Sequence, residues 1–177
     1  MANASLVLTV IGRDRPGLVE VLSETIVGHG ASWLESRMAH LAGQFAGLLR
    51  VAVPEERAGE LSEALRALDA RGLRVTVAVA GSEAADGAGP RVRLDLVGLD
   101  RPGIVREISH ALAERGVNVE ELESRTSSAP MSGETLFHVR ASLRVPSETA
   151  TDELRATLEK LADELMVELV LSDAGEP

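Results

Sequence analysis

At 177 residues the chain is long enough for one ordinary domain or two small ones. Its make-up, 45% hydrophobic and 26% charged, is that of a packed protein rather than a disordered one. A net charge of −10 has the wrong sign for neutralising phosphates, and 2% aromatic residues leave no platform for stacking bases, so direct nucleic-acid binding is disfavoured.

Leu6, Leu8 and Val10 alternate with Val7, Thr9 and Ile11, which predicts a strand apolar on both faces and central in its sheet. Gly12-Arg-Asp-Arg-Pro-Gly17 follows as a strand-to-helix turn, with proline suited to the first helical turn. Leu18, Val21, Leu22, Thr25 and Ile26 have helical spacing, and His29-Gly30 supplies a left-handed stop. Trp33 to Met38 reads as a second strand with Gly43 near its turn, and Phe45 to Val53 as a third that returns as its hairpin partner. Pro54-Glu-Glu opens a helix with Leu61, Ala64, Leu65 and Leu68 as its buried stripe. Arg71-Gly72 closes it, and Leu73 to Val79 is the last strand. The order is βαββαβ.

Gly81 to Pro90 has no periodicity and three glycines, the composition of a linker. The pattern then starts again. Val92, Leu94 and Leu96 alternate with Arg91, Arg93 and Asp95, so this strand has one wet face. Gly98-Leu-Asp-Arg-Pro-Gly103 repeats the turn at an offset of 86. Between Gly12–Gly30 and Gly98–Gly116 eight of nineteen positions are identical without a gap. Val117 to Arg125 repeats the Leu-Glu-Ser-Arg of the first copy with two extra residues, and Thr126 to Gly133 is expected as a polar loop. Phe137 to Val145 is an amphipathic strand. Pro146-Ser-Glu opens the last helix, lined by Leu154, Leu158, Leu161 and Leu165, and Val167 to Leu171 closes the sheet. The expected fold is α+β: two ferredoxin-like βαββαβ sandwiches in tandem, residues 1–80 and 91–177, joined by a linker over 81–90.

Catalytic chemistry finds little footing. His29, His40, His110 and His138 lie in different elements without metal-ligand spacing, and no nucleophile elbow, P-loop or dinucleotide fingerprint occurs. Glu120 and Glu121, adjacent in a strand, should point to opposite faces and so form no carboxylate pair. No cysteine means no disulfide, no redox motif and no thiolate metal site. No apolar run reaches about 18 residues and no export signal is visible, so a cytoplasmic protein is expected. No enzyme, metal or cofactor is expected.

Binding has more support. The N–H groups at the turns around Gly17 and Gly103 suit an anion such as a ligand carboxylate. Asp14 or Asp100 could accept from an ammonium, or could cap its own helix. Asn118, just past the Gly116 stop, both donates and accepts; Ser32 holds that place in the first copy.

Asp-Arg-Pro-Gly after a first strand, the Gly-Val-Asn-Val second strand and the βαββαβ order resemble the ACT domain, over nearly the whole chain and twice. A stand-alone tandem pair is most similar to the glycine cleavage system transcriptional repressor family. That resemblance implies a small amino acid bound between paired copies and action through a partner regulatory protein. Homo-oligomerisation is compatible with it. The ligand positions it implies are Asp100, Pro102, Gly103 and Asn118, with Asp14, Pro16, Gly17 and Ser32 as first-copy equivalents. The lack of large charged constellations near the turns favours glycine or serine. A ligand-free interaction module and a regulatory subunit of a separate enzyme are the alternatives.

Overall fold

The structure, a computed structural model, describes residues 2–81, 89–130, 133–147, 149 and 151–173. The chain divides into two compact units, residues 1–83 and 84–177. Most of the expected linker, residues 82–88, lies outside the described residues.

The first unit runs β1 (Asn3–Arg13), α1 (Leu18–Gly28), β2 (Ser32–Leu41), β3 (Gln44–Pro54), α2 (Ala58–Ala67) and β4 (Leu73–Val79), with short 3₁₀ turns at Glu55–Arg57 and Leu68–Arg71. The second runs β5 (Arg91–Leu99), α3 (Ile104–Ala113), β6 (Asn118–Ser128), β7 (Thr135–Arg144), α4 (Thr151–Leu165) and β8 (Val167–Asp173). Each sheet is antiparallel, in the orders β2-β3-β1-β4 and β6-β7-β5-β8. This is the expected tandem βαββαβ, α+β fold.

One face of each sheet carries the core. In the first unit Leu6, Leu8 and Val10 of β1 meet Leu18, Leu22 and Ile26 of α1 and Leu61 and Leu65 of α2. In the second, Val92, Leu94 and Leu96 meet Ile104, Ile108, Leu112, Leu154 and Leu158. The helical anchors that correspond in sequence are all buried. Truncating such a leucine to alanine costs about 2–5 kcal/mol, because the lost transfer energy is joined by a cavity. Both first helices stop on a left-handed glycine. Gly30 has φ 69° and Gly116 φ 65°, and the N–H of the next residue reaches back to Ile26 O at 3.1 Å and Leu112 O at 3.0 Å.

Central β1 is only half covered, since Ile11 is 45% exposed on its second face. Thr126, Ser127 and Ser128, expected in a loop, extend β6 by pairing with Phe137, Leu136 and Thr135. Ladder hydrogen bonds to a ready partner outweigh the turn preference of serine. Of the expected loop, Met131 and Ser132 are outside the described residues. The last helix begins at Thr151, not at Pro146, because Pro146 accepts from the Thr149 N–H at 2.9 Å in a turn of its own. Glu148 is outside the described residues.

A β-bulge interrupts both edge strands at the same place, at Leu34 in β2 and Glu120 in β6. Ser32 and Asn118 open the two strands, and equivalent residues of β2 and β6 stay 86 apart through His40 and Thr126, while their partners on β3 and β7 stay 92 apart. The two Leu-Glu-Ser-Arg tetrapeptides are therefore not equivalent. Leu34 corresponds to Glu120, and Leu122 to Ser36. The extra length of the second copy lies in the hairpin. Ala42 (φ 48°) and Gly43 (φ 77°) turn the first in two left-handed residues, whereas 129–134 separate β6 from β7.

Candidate functional site

The duplicated turn is set by glycine. Gly17 (φ 89°, ψ 1°) and Gly103 (φ 102°, ψ −11°) are the N-caps of α1 and α3 in left-handed conformation. A side chain at these angles costs about 1–2 kcal/mol. The helices start at Leu18 and Ile104, so Pro16 and Pro102 precede the cap rather than occupy the first helical position. They stiffen the approach to the glycine and leave the first helical N–H groups in place.

Each turn is tied to the hairpin of its own sheet. The Asp14 N–H donates to Gly43 O at 3.0 Å and the Asp100 N–H to Thr135 O at 2.8 Å. Neither aspartate is the cap of its helix, since glycine holds that place in both repeats. The Asp14 carboxylate lies instead 3.6 Å from His40 Nε2. Asp14, Pro16, Gly17, Asp100, Pro102 and Gly103 are all exposed, so both turns present their backbone to solvent.

The arginines between aspartate and proline differ. Arg15 donates to Arg71 O at 2.8 Å, joining the turn to the loop before β4. Arg101 Nη2 lies 3.5 Å from Glu107 Oε2, and Arg101 Nε is buried without a hydrogen bond. The other Glu107 oxygen lies against the cap, 3.4 Å from where a Cβ on Gly103 would sit. Glu20 lies similarly against Gly17, at 3.7 Å. Each helix start thus has a carboxylate of its own beside it, which the end dipole favours.

Ser32 and Asn118 are elsewhere. Asn118 pairs with Arg144, which pairs with Arg91 at the start of β5, whereas Asp100 follows the end of that strand. The strand between them is about 26 Å long at 3.3 Å per residue. Ser32 is placed likewise, level with Ala52 and Ser5. The structure brings Asp100, Pro102 and Gly103 together, and Asp14, Pro16 and Gly17 together. It does not bring either group to the Asn118 or Ser32 of its own sheet.

The glycines that open the two motifs are structural. A Cβ on Gly12 would strike the Gly72 carbonyl oxygen, and one on Gly98 would meet the Val167 side chain, with Val167 Cβ at 2.9 Å. They let the final strand of each sheet close over the first.

Charged clusters on the open face of the second sheet were not foreseen from the residue pattern. The Glu120 carboxylate accepts from Arg91 Nε at 2.8 Å and Arg144 Nε at 2.9 Å. Asp95 accepts from Arg93 Nε at 2.7 Å and Arg140 Nε at 3.3 Å. Because of the bulge, Glu120 shares the open face with Arg91 and Arg144, and Glu121, opposite Ser142, belongs to the same face. The expected alternation of Glu120 and Glu121 fails there. The Arg93 hydrogen bond, helped by Arg140, holds the Asp95 carboxyl below its ordinary range against a smaller upward push from burial. Burial pushes Glu120 up, but the hydrogen bonds and charges of Arg144 and Arg91 together outweigh it and hold it below its usual range. The alternating arginines were visible in β5 and β7; their carboxylate partners depend on register.

Among the described residues no group of three His, Asp or Glu side chains is placed to hold a metal, and no helix is long and apolar enough to cross a membrane. The turns offer backbone donors and exposed carboxylates, chemistry for holding a small zwitterion.

No match is found among curated protein sequences. In fold the chain is similar to a protein from Galdieria sulphuraria described only as unknown, with 29% identity, 98% of this chain and 100% of that one covered, and a TM-score of 0.82. It is also similar to a candidate glycine cleavage system transcriptional repressor at 20% identity, covering 99% of this chain and 100% of that one, with a TM-score of 0.72. Family models described as ACT domain match residues 4–79 and 92–163. With the same fold, the same glycine-capped turn and the same strand bulge in both halves, the chain belongs to the ACT-domain family as a tandem pair.

Proposed function

We infer that the protein is a non-enzymatic, cytoplasmic regulator that senses a small amino acid, of the glycine or serine class, and passes the signal to a partner regulatory protein. The observation that carries this reading is the twice-built turn, exposed, glycine-capped and tied to its hairpin, in a chain made up almost wholly of ACT domains, which commonly bind amino acids. The ligand carboxylate would take the N–H groups after Gly103, and Asp100 would accept from its ammonium. Pro102 fixes the approach. The first-repeat turn, Asp14, Pro16 and Gly17, is the weaker equivalent because His40 already engages Asp14. Asn118 and Ser32, at the far ends of their sheets, would reach a ligand only on a second copy of the fold, which fits a homo-oligomer. A net charge of −10 supports a protein partner over DNA.

Titration calorimetry against the twenty amino acids tests this. Saturable binding of glycine or serine, weakened about tenfold or more by Asp100→Ala and by Asn118→Ala, is expected, since a lost charge-assisted hydrogen bond is worth about 1.5–3 kcal/mol. Silence with all twenty removes the sensor reading.

The position of Glu107 favours a second reading, an interaction module that binds no small molecule. Its carboxylate lies between Arg101 and the Gly103 cap, beside the start of α3, where the end dipole favours a negative charge. In that case Glu107→Gln destabilises the second repeat and opens no amino-acid binding. Under the sensor reading it strengthens binding by removing a competitor. Recovery of a catalytic chain rather than a regulator as the bound partner would make the protein an enzyme's regulatory subunit.

A further inference from the structure

The two repeats differ where the first helix packs on the edge strand. In the first repeat the inward side chain after the start of β2 is Trp33, paired with Val51. It packs on a core that includes Leu8, Leu22, Ile26 and Leu49. Position for position, the second repeat has Val119 paired with Leu143, and Leu94, Ile108, Leu112 and Ala141 in place of those four. Valine for tryptophan and alanine for leucine remove the volume of a ring and more. What remains is an apolar cleft between α3 and β6, about 20 Å³ in volume, lined by those five residues among others, with Ser109 its polar member. Val105 and Leu122 form its lips and are exposed, 40% and 45%. Apolar clefts of this kind stay dry and forfeit dispersion contacts, so their filling by apolar matter is favourable.

We propose that the α3–β6 cleft of the second repeat is a binding site for a small molecule bearing a flat aromatic ring, which enters between Val105 and Leu122 and takes the place that Trp33 fills in the first repeat. The first repeat supplies the shape of the occupant: at the position of Val119 it carries an indole, packed against a core that includes the counterparts of the buried lining residues. The cleft is too narrow to hold a ring with its lips closed. Both lip side chains stand at the surface, where a rotamer change has no core to disturb. Ser109 can pair with a ring N–H or hydroxyl at the mouth. The site is independent of the Asp100–Gly103 turn and does not rest on the amino-acid reading.

The test is indole titrated into the full chain and followed by amide-resolved NMR. Expected are saturable shifts confined to α3 and β6, around Val105, Ser109, Val119 and Leu122. Val119→Trp should weaken them at least about tenfold, as should Ala141→Leu, a smaller change that restores the residue the first repeat carries. Trp33→Val combined with Leu49→Ala, which gives the first repeat the small residues of the second, should add a second saturable set in α1 and β2. Shifts that never saturate, shifts spread over both repeats, or affinity unchanged in folded Ala141→Leu would each overturn the assignment.

Discussion

The two repeats share a backbone down to the bulge in the edge strand, yet their open sheet faces have little in common. On the first, Val7, Thr9 and Ile11 of β1 lie beside Arg50, Leu48 and Ala46 of β3, and the bulge residue is Leu34. Charge there is confined to Arg50 and its neighbours on β2, with Glu35 Oε2 3.6 Å from Arg50 Nη2. On the second the same places hold Arg93, Asp95, Val97, Ser142, Arg140 and His138, and the bulge residue is Glu120. Leu34 and Leu48 are 51% and 53% exposed, whereas the second face ties its carboxylates between pairs of arginines. The inner faces, by contrast, keep Leu, Val and Ile at most matching positions, Trp33 with Val119 and Leu49 with Ala141 being the exceptions. Burial fixes the inner pattern; the outer face is free to differ, and the repeats differ there in charge rather than in fold.

The largest test of this shared frame is at the glycines that open the turns. Gly12→Ala sets a methyl against a backbone carbonyl, which cannot rotate away, while Gly98→Ala sets it chiefly against the Val167 side chain. Denaturant unfolding is expected to show a loss of about 3 kcal/mol for the first and about 1–3 kcal/mol for the second. Equal, small losses would show that the two sheets do not close in the way described.

The charged face gives a pH test. Asp95 and Glu120 are depressed in the folded state, so their contribution is complete above the unfolded values and is lost as pH falls through the folded ones. The window opens downward from the ordinary 3.8 and 4.5 of these groups. Near neutrality Glu120→Gln should cost the second repeat up to about 1 kcal/mol, and the cost should shrink as pH falls below the ordinary 4.5 and through the lower folded-state value. The corresponding Leu34→Gln in the first repeat should show no such acid dependence. An Glu120→Gln effect that is flat across this range would mean that the arginine pairs contribute nothing.

The smallest expected effect is at the stop before each closing strand. Gly72 (φ 77°) and Met166 (φ 54°) hold equivalent, left-handed places, and only the first is glycine. Met166→Gly should raise the stability of the second repeat by about 0.5–1 kcal/mol, read as a higher Tm, and Gly72→Met should lower that of the first.

Much of the fold was legible because it rests on periodicity. Leu18, Leu22 and Ile26, and their partners Ile104, Ile108 and Leu112, stand at helical spacing and are buried as that spacing requires. The bulge was not legible. One extra residue leaves no mark in composition, and the repeated Leu-Glu-Ser-Arg suggested a false alignment two residues out of step. Thr126–Ser128 looked like loop because serine favours turns in isolation, and only the β7 partner decides otherwise. For the candidate site, the turns were readable in their glycines and prolines. The place of Asn118 was not, because nearness to a helix stop says nothing of which end of the sheet a residue reaches. α3 carries the chain back along β5, so Asn118 begins where Arg91 does.

Trp33 is the sole tryptophan and the chain has no tyrosine, so intrinsic fluorescence sees the first repeat alone. Circular dichroism counts the helices and strands of both. If the repeats unfold as one cooperative body the two signals fall together; if they unfold separately, fluorescence follows one transition while dichroism shows two. The indole that fills one groove and is missing from the other is thus a built-in label, able to say which half of the molecule responds to heat, denaturant or ligand without any probe being attached.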